Sequence, residues 1–300
     1  MRDDDPSRTP ADLDEEESLS DPVAEEAETP GDLDEEEAKA SVERAAPRAA
    51  VLHEAIRLEG EFELQRSHSA LFWSAIAAGL SMGMSFLTQG LIEHYLPHAT
   101  WVPLVSSFGY AVGFVIVVLG RQQLFTENTL TPVLALLESP DGEKLRRMLQ
   151  LWAIVLVANL IGGVLFAGVV AETDVFHPEM RASFDTLALR AAAPDIWPQF
   201  IRGVFAGWLI ALMVWLLPFS ESSRIHTIVL MTWLIALGGF SHVIVGSIEV
   251  FYGCWRGILD WPDYLLRFLW PVLLGNVLGG IAIVAALNHG QVYSGAAHDS

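Results

Sequence analysis

In this 300-residue chain, the side chains best placed to do chemistry are ionisable and polar residues set inside apolar stretches. His242 ends the run Gly238-Gly239-Phe240-Ser241-His242, which interrupts one such stretch. An imidazole at bilayer depth is costly and therefore points to proton or solute handling. About 115 residues earlier, Gly120-Arg121-Gln122-Gln123-Leu124-Phe125-Thr126-Glu127-Asn128 interrupts another apolar run and sets an Arg and a Glu within it. Leu124 and Phe125 are large apolar residues on a non-helical turn, suited to narrowing a passage, and Thr126 offers a hydroxyl. Helix N-termini that follow each break add partial positive charge, which favours an anion. Arg121 and Glu127 are expected to pair with each other or to point into protein, since an exposed carboxylate repels anions.

Other candidates point elsewhere. Gly79-Leu80-Ser81-Met82-Gly83 fits the G-x-S-x-G pattern, but that nucleophile needs a strand-turn-helix elbow. Here the motif sits in a continuous apolar helix, where Ser81 is expected to bond back to its own backbone. The nine His show no H-E-x-x-H or other metal-ligand spacing, so neither a metal nor a cofactor is expected. His94, His98, His226 and His289 fall near the ends of apolar spans. Cys254 is the lone cysteine, which excludes an intrachain disulfide and a multi-Cys metal site.

The elements that must position these residues are transmembrane helices. Apolar runs long enough to cross a hydrocarbon layer of about 30 Å occur near 70–96, 146–171, 199–218 and 264–288. Two more, near 102–138 and 225–257, are long but interrupted. The spacing predicts an all-α membrane protein of six spans, the second and fifth broken. Irregular backbone persists in a bilayer only where protein buries it or where it lines a cavity. Paired broken helices in corresponding halves mark a solute site near the midplane.

The halves echo one another. Asn159-Leu160-Ile161-Gly162-Gly163 matches Asn276-Val277-Leu278-Gly279-Gly280, and Ala78-Gly79 matches Ala206-Gly207. Three spans per half require opposite insertion, which makes an inverted repeat. Gly79/Gly83, Gly109/Gly113, Gly203/Gly207 and Gly275/Gly279 are GxxxG pairs that let helices approach closely.

Net charge is −20, yet 52% of the residues are hydrophobic. Residues 1–45 reconcile the two, with 18 acidic and 4 basic residues. This tail repeats Asp12-Leu13-Asp14-Glu15-Glu16-Glu17 as Asp32-Leu33-Asp34-Glu35-Glu36-Glu37 and is too polar to fold alone. It lacks the apolar core of a signal peptide. The expected organisation is a disordered acidic tail over 1–45, an amphipathic surface helix over 46–66, a channel domain over 67–290 and a short tail over 291–300. In the surface helix Val51, Ala55, Leu58 and Phe62 recur at helical spacing opposite Glu54, Glu61 and Glu63. Basic residues divide almost evenly between the two sides, so the cytoplasmic placement of both termini rests mainly on the untranslocatable acidic tail. No nucleic-acid partner is expected.

Leu124-Phe125-Thr126 after a broken second helix, His242 after Gly-Phe in a broken fifth, and Gly275-Asn276-Val277-Leu278-Gly279-Gly280 in the last span together resemble the formate/nitrite transporter family. The likeness covers about residues 55–290, and the long N-terminal extension resembles that of its YfdC-like branch. The resemblance implies an aquaporin-like six-helix protomer in the bacterial inner membrane, a homopentamer, and one pore per protomer for small monovalent anions. It places Leu124, Phe125, Thr126, Phe240, Ser241, His242, Tyr110 and Phe114 along the pathway. Arg121, Gln123, Glu127, Asn128 and Arg190 then structure the loop or the pore mouth, and Asn159, Gly162, Gly163, Gly275, Asn276, Gly279 and Gly280 pack the repeat. Thr126 is implied to bond His242 or the anion, and a protonated His242 to stabilise the anion or give it a proton. This chain departs from the family pattern in having Gln123 and Ser241 where acids are common, and Gly207 and Gly246 where Asn is expected.

Two rival readings remain. An aquaporin-type pore for neutral solutes would share the architecture, but its twin Asn-Pro-Ala signatures are absent. A non-conducting membrane anchor or sensor would use the acidic tail to recruit a partner. An intramembrane enzyme lacks a paired nucleophile and base.

Overall fold

A computed structural model describes residues 49–220, 222–286 and 290; the acidic tail, the C-terminal tail and His289 lie outside the described residues. Every regular element among the described residues is helical. In chain order they are α1 (Ala49–Leu64), α2 (His68–Tyr95), α3 (Val102–Leu119), α4 (Thr131–Glu138), α5 (Gly142–Glu172), α6 (Pro178–Ala192), α7 (Ile196–Leu216), α8 (Arg224–Leu237) and α9 (Val243–Trp255). The last helix, α10, runs over residues 261–286 and includes two π-helical segments, Tyr264–Leu269 and Gly279–Ala286. Five helices are long and apolar enough to cross a membrane: α2, α3, α5, α7 and α10. The apolar helices α8 and α9 are shorter and meet at the second break.

Local chemistry sets the helix ends. Ser67 caps α2 by accepting from the Ala70 N–H, and Asp141 caps α5 by accepting from the Lys144 N–H. The two breaks share one geometry. After α3, the Arg121 N–H donates to the Val118 carbonyl and the Gln122 N–H to the Val117 carbonyl; after α8, Gly239 bonds Ala236 and Phe240 bonds Ile235 in the same pattern. Both are Schellman caps, which need one left-handed residue just past the helix. Gly239 takes that role at φ 60°, and Arg121 takes it at φ 48°. A non-glycine residue there costs about 1–2 kcal/mol, so something must hold Arg121 in place.

The repeat expected from sequence is present as α2-α3-α4-α5 followed by α7-α8-α9-α10. Within the halves α2 lies along α5 and α7 along α10, while α3 meets α8 and α5 meets α9 between them. A Cβ added at Gly79 would sit 2.2 Å from the Asn159 carbonyl oxygen, and one at Gly207 would sit 2.2 Å from that of Asn276. Any side chain at either position would push its helix pair apart. Gly162, Gly275 and Gly279 face backbone across the same pairs, whereas Gly163 and Gly280 make room for Ile248 and Thr129.

Packing adds one element and corrects one expectation. The connection over 172–198, between the third and fourth spans, contains α6, which buries Phe184, Leu187 and Ala188 along one side. The surface helix is α1, but its buried stripe is His53, Ile56, Gly60 and Glu63, set against α4. Val51, Leu58 and Phe62 face outward.

Candidate solute pathway

His242 is both the end of the second break and the cap of the helix after it. Its Nδ1 accepts from the N–H groups of Ile244 and Val245, each at 3.3 Å. With Nδ1 occupied as an acceptor, the ring proton belongs on Nε2. That nitrogen lies 2.7 Å from Thr126 Oγ1, so the imidazole donates to the hydroxyl across the two breaks. Phe114 sets its ring edge-on to His242 at 5.1 Å, and Tyr110 lies 5.5 Å from Phe114. Phe125 packs edge-on against Trp152 at 5.9 Å. Leu124, Phe125, Thr126, Phe114 and His242 are all buried, at 2% exposure or less, and together close a belt between the halves.

Two asparagines fasten the breaks in matching ways. Asn159 Oδ1 accepts from the Phe125 N–H at 2.9 Å, and its Nδ2 donates to the Ala75 and Gln123 carbonyls. Asn276 Oδ1 accepts from the Val243 N–H at 2.8 Å, and its Nδ2 donates to the Gly203 and Ser241 carbonyls. Each amide thus satisfies backbone that the interrupted helix leaves unpaired, which is what makes such a break tolerable in lipid. The correspondence pairs Gln123 with Ser241, Leu124 with His242 and Phe125 with Val243.

A cavity opens on each side of the belt. On the α1 side, about 340 Å³ is lined by Glu59, Glu63, Arg121, Gln123, Glu127 and Arg224, among others. Of the two placements the sequence left open, Arg121 and Glu127 do not pair with each other, and Glu127 points into protein. Arg121 Nη2 bonds Glu59 on α1 at 2.8 Å, and this contact offsets part of the cost of the left-handed turn. Glu127 Oε1, Gln122 Oε1 and Arg224 Nε are buried there without a hydrogen-bond partner among the described residues. Gln123 and Asn128 instead bond each other at 3.0 Å and stiffen the loop.

On the α6 side, about 90 Å³ is lined by Gln89, Tyr110, Arg190, Arg202, Phe240, Ser241, Glu249 and Phe268, among others. Arg190 is held by Glu93 through two bonds of 3.1 and 3.3 Å. The Ser241 hydroxyl donates to Gln199 at 2.6 Å, and Phe240 stacks on Phe205. The two missing Asn have steric explanations. Gly207 touches the Asn276 backbone, and a Cβ at Gly246 would sit 2.4 Å from the Phe268 ring, which fills that space. The Phe268 ring thus occupies the space beside Gly246, one turn after His242.

Sequence reasoning named most of the belt but missed Arg202, Glu249, Glu59 and Gln199. Glu249 carried a usable signal, being an acid within an apolar helix seven residues after His242 and hence on its face. Glu59 gave none, because its partner depends on where α1 docks. Among the described residues no group of His, Cys, Asp or Glu is arranged to hold a metal. Cys254 is buried and free.

Comparison with known proteins bears on this geometry. Residues 50–290 match the family model described as formate/nitrite transporter. The chain is 41% identical over 250 residues to the inner membrane protein YfdC of Escherichia coli (strain K12), covering 83% of this chain and 81% of that one. It is 22% identical over 237 residues to the formate channel FocA of Haemophilus influenzae, covering 70% and 82% of the two chains. A solved pentameric formate channel with formate bound superposes with a TM-score of 0.64 at 18% identity, over 75% of this chain and 97% of that one.

Proposed function

The chain belongs to the formate/nitrite transporter family, and from that premise we infer that each protomer passes a small monovalent anion of the formate or nitrite type across the inner membrane. The observation that carries this reading is the belt between two cavities with charged residues in their linings, in which the bonded Thr126 and His242 pair is surrounded by Leu124, Phe125, Phe114 and Tyr110. A relative whose name describes a formate channel, and a pentameric formate-bound channel of the same fold, support the substrate class and a homopentamer. The protein is a carrier of solutes rather than an enzyme. Six crossings follow from counting α8 and α9 as one broken span, with the α1 side and both termini in the cytoplasm.

The mechanism follows from burial. An unpaired charge in an apolar belt costs several kcal/mol or more, so the species that crosses is the neutral acid. Arg190 and Arg202 attract the anion to the α6-side cavity. Phe240 and Tyr110 then strip its water, and the Thr126 and His242 pair offers hydrogen bonds where the passage is narrowest. The outward stripe of Val51, Leu58 and Phe62 on α1 rests against lipid. Uptake by proteoliposomes tests the reading. Formate or nitrite entry is expected, with glycerol excluded; glycerol entry alone would establish the neutral-solute pore, and no entry the anchor.

A further inference from the structure

A carboxylate is an odd lining for an anion pathway, and this one has a carboxylate on each side of its belt. Glu249 lines the α6-side cavity, on the face of α9 that carries His242. Arg190 and Arg202 line the same cavity, and Arg190 is already engaged by Glu93. Among the described residues no ion pair within 4.0 Å engages Glu249 or Arg202. Tyr110, on α3, faces the same cavity. On the α1 side Glu127 is the residue next to Thr126, and its Oε1 is buried without a hydrogen-bond partner among the described residues. The charged groups around it are Glu59 and Glu63 on α1, Arg66 just after α1, Arg121 in the turn, and Arg224 on α8. Glu59 and Glu63 are engaged by Arg121 and Arg66.

His242 is poorly placed to give the anion a proton. To do so it must first become an imidazolium with both nitrogens protonated. Nδ1 already accepts two backbone N–H groups, so a proton there would break the cap of α9 and oppose both donors. A carboxyl group has no such obstacle, because it holds its proton while neutral and gives it up without first becoming a cation.

We propose that Glu249 and Glu127 are the proton-loading and proton-accepting residues of this transporter, flanking a His242 that stays neutral. In the inward direction the Glu249 carboxyl gives its proton to the anion in the α6-side cavity, leaving Glu249 carboxylate and a neutral acid. The acid crosses the belt past the Thr126 and His242 pair. On the α1 side it gives the proton to the Glu127 carboxylate and leaves as the anion. Glu127 releases that proton to the α1-side solution, and Glu249 takes one from the other side. One proton moves with each anion, and no other reactant is needed. This deepens the anion-transport reading and rests on it.

The test is formate uptake by proteoliposomes carrying an internal pH dye, at external pH from 5 to 8. Without a built-in proton donor, flux follows the neutral acid in bulk solution and falls about tenfold per pH unit. Wild type is expected to show a shallower slope, with one proton entering per formate. Glu249→Gln is expected to steepen the slope to the bulk value and to lower flux at pH 7 by about tenfold or more. Glu127→Gln is expected to slow inward flux, with its pH slope shallower than that of Glu249→Gln. His242→Asn is expected to lose rate and keep the wild-type slope. An unchanged slope in Glu249→Gln overturns the proposal, as does a bulk-value slope in His242→Asn. Absence of formate flux in wild type instead overturns the transport reading itself.

Discussion

At the scale of single residues, matched amides do the work that a continuous helix would otherwise do. Removing Asn159 leaves the Phe125 N–H and the Gln123 carbonyl of the break without their partner, while the Ala75 carbonyl keeps its place in α2. Each unsatisfied buried group costs about 1–3 kcal/mol. Asn159→Leu and Asn276→Leu should therefore each lower stability by about 3 kcal/mol or more, read as a drop in thermal midpoint in detergent. Thr126→Val keeps the shape but removes the acceptor for His242 Nε2, and should cut formate flux at least about tenfold while Thr126→Ser retains it. The belt was legible in sequence because a Thr and a His within apolar runs are conspicuous. The partner of Arg121 was not, because Glu59 is 62 residues away and reaches the turn only through the docking of α1.

At the scale of elements, the two breaks are the same cap made from different residues. Gly239 supplies the left-handed turn without strain, whereas Arg121 relies on its bond to Glu59. Gly239→Val should lose about 1–2 kcal/mol. Arg121→Gly should be close to neutral, since relief of backbone strain offsets an exposed ion pair worth under about 1 kcal/mol. A comparison of thermal midpoints of the two variants checks the asymmetry. The docking of α1 should also depend on pH. Burial raises the Glu63 carboxyl above the usual carboxylate range, against the opposing pull of Arg66. A raised folded-state value stabilises docking below the unfolded pKa, near 4.3, and that contribution is lost as pH rises through the folded value. Hydrogen exchange over residues 49–64 should therefore quicken as pH rises through that window, after correction for the intrinsic rate, and Glu63→Gln should abolish the change. Glu61 runs the other way, held down first by its bond to Lys144, so docking should weaken again as pH falls through its lowered value. The helix α6 escaped the sequence reading because its mean polarity masks the spacing of Phe184, Leu187 and Ala188.

At the scale of the whole molecule, the order helix, broken helix, helix, repeated in opposite senses, was readable from Gly, Asn and interrupted hydropathy. Packing supplied what those signals lack. The face by which α1 docks, the ring of Phe268 over Gly246, and the carboxyl of Glu249 in the α6-side cavity all depend on contacts between distant segments. If the protomer assembles as a ring, native mass spectrometry should give five copies; a monomer or dimer under conditions that preserve transport would contradict that assembly. The central claim is that this belt passes a small monovalent anion. It is tested most directly by stopped-flow uptake into proteoliposomes, with formate, nitrite, acetate, hydrosulfide and glycerol compared side by side. The account predicts saturable entry of at least one of the anions, lost in Thr126→Val, with no glycerol entry. Entry of glycerol alone, or of none of the five, would contradict it.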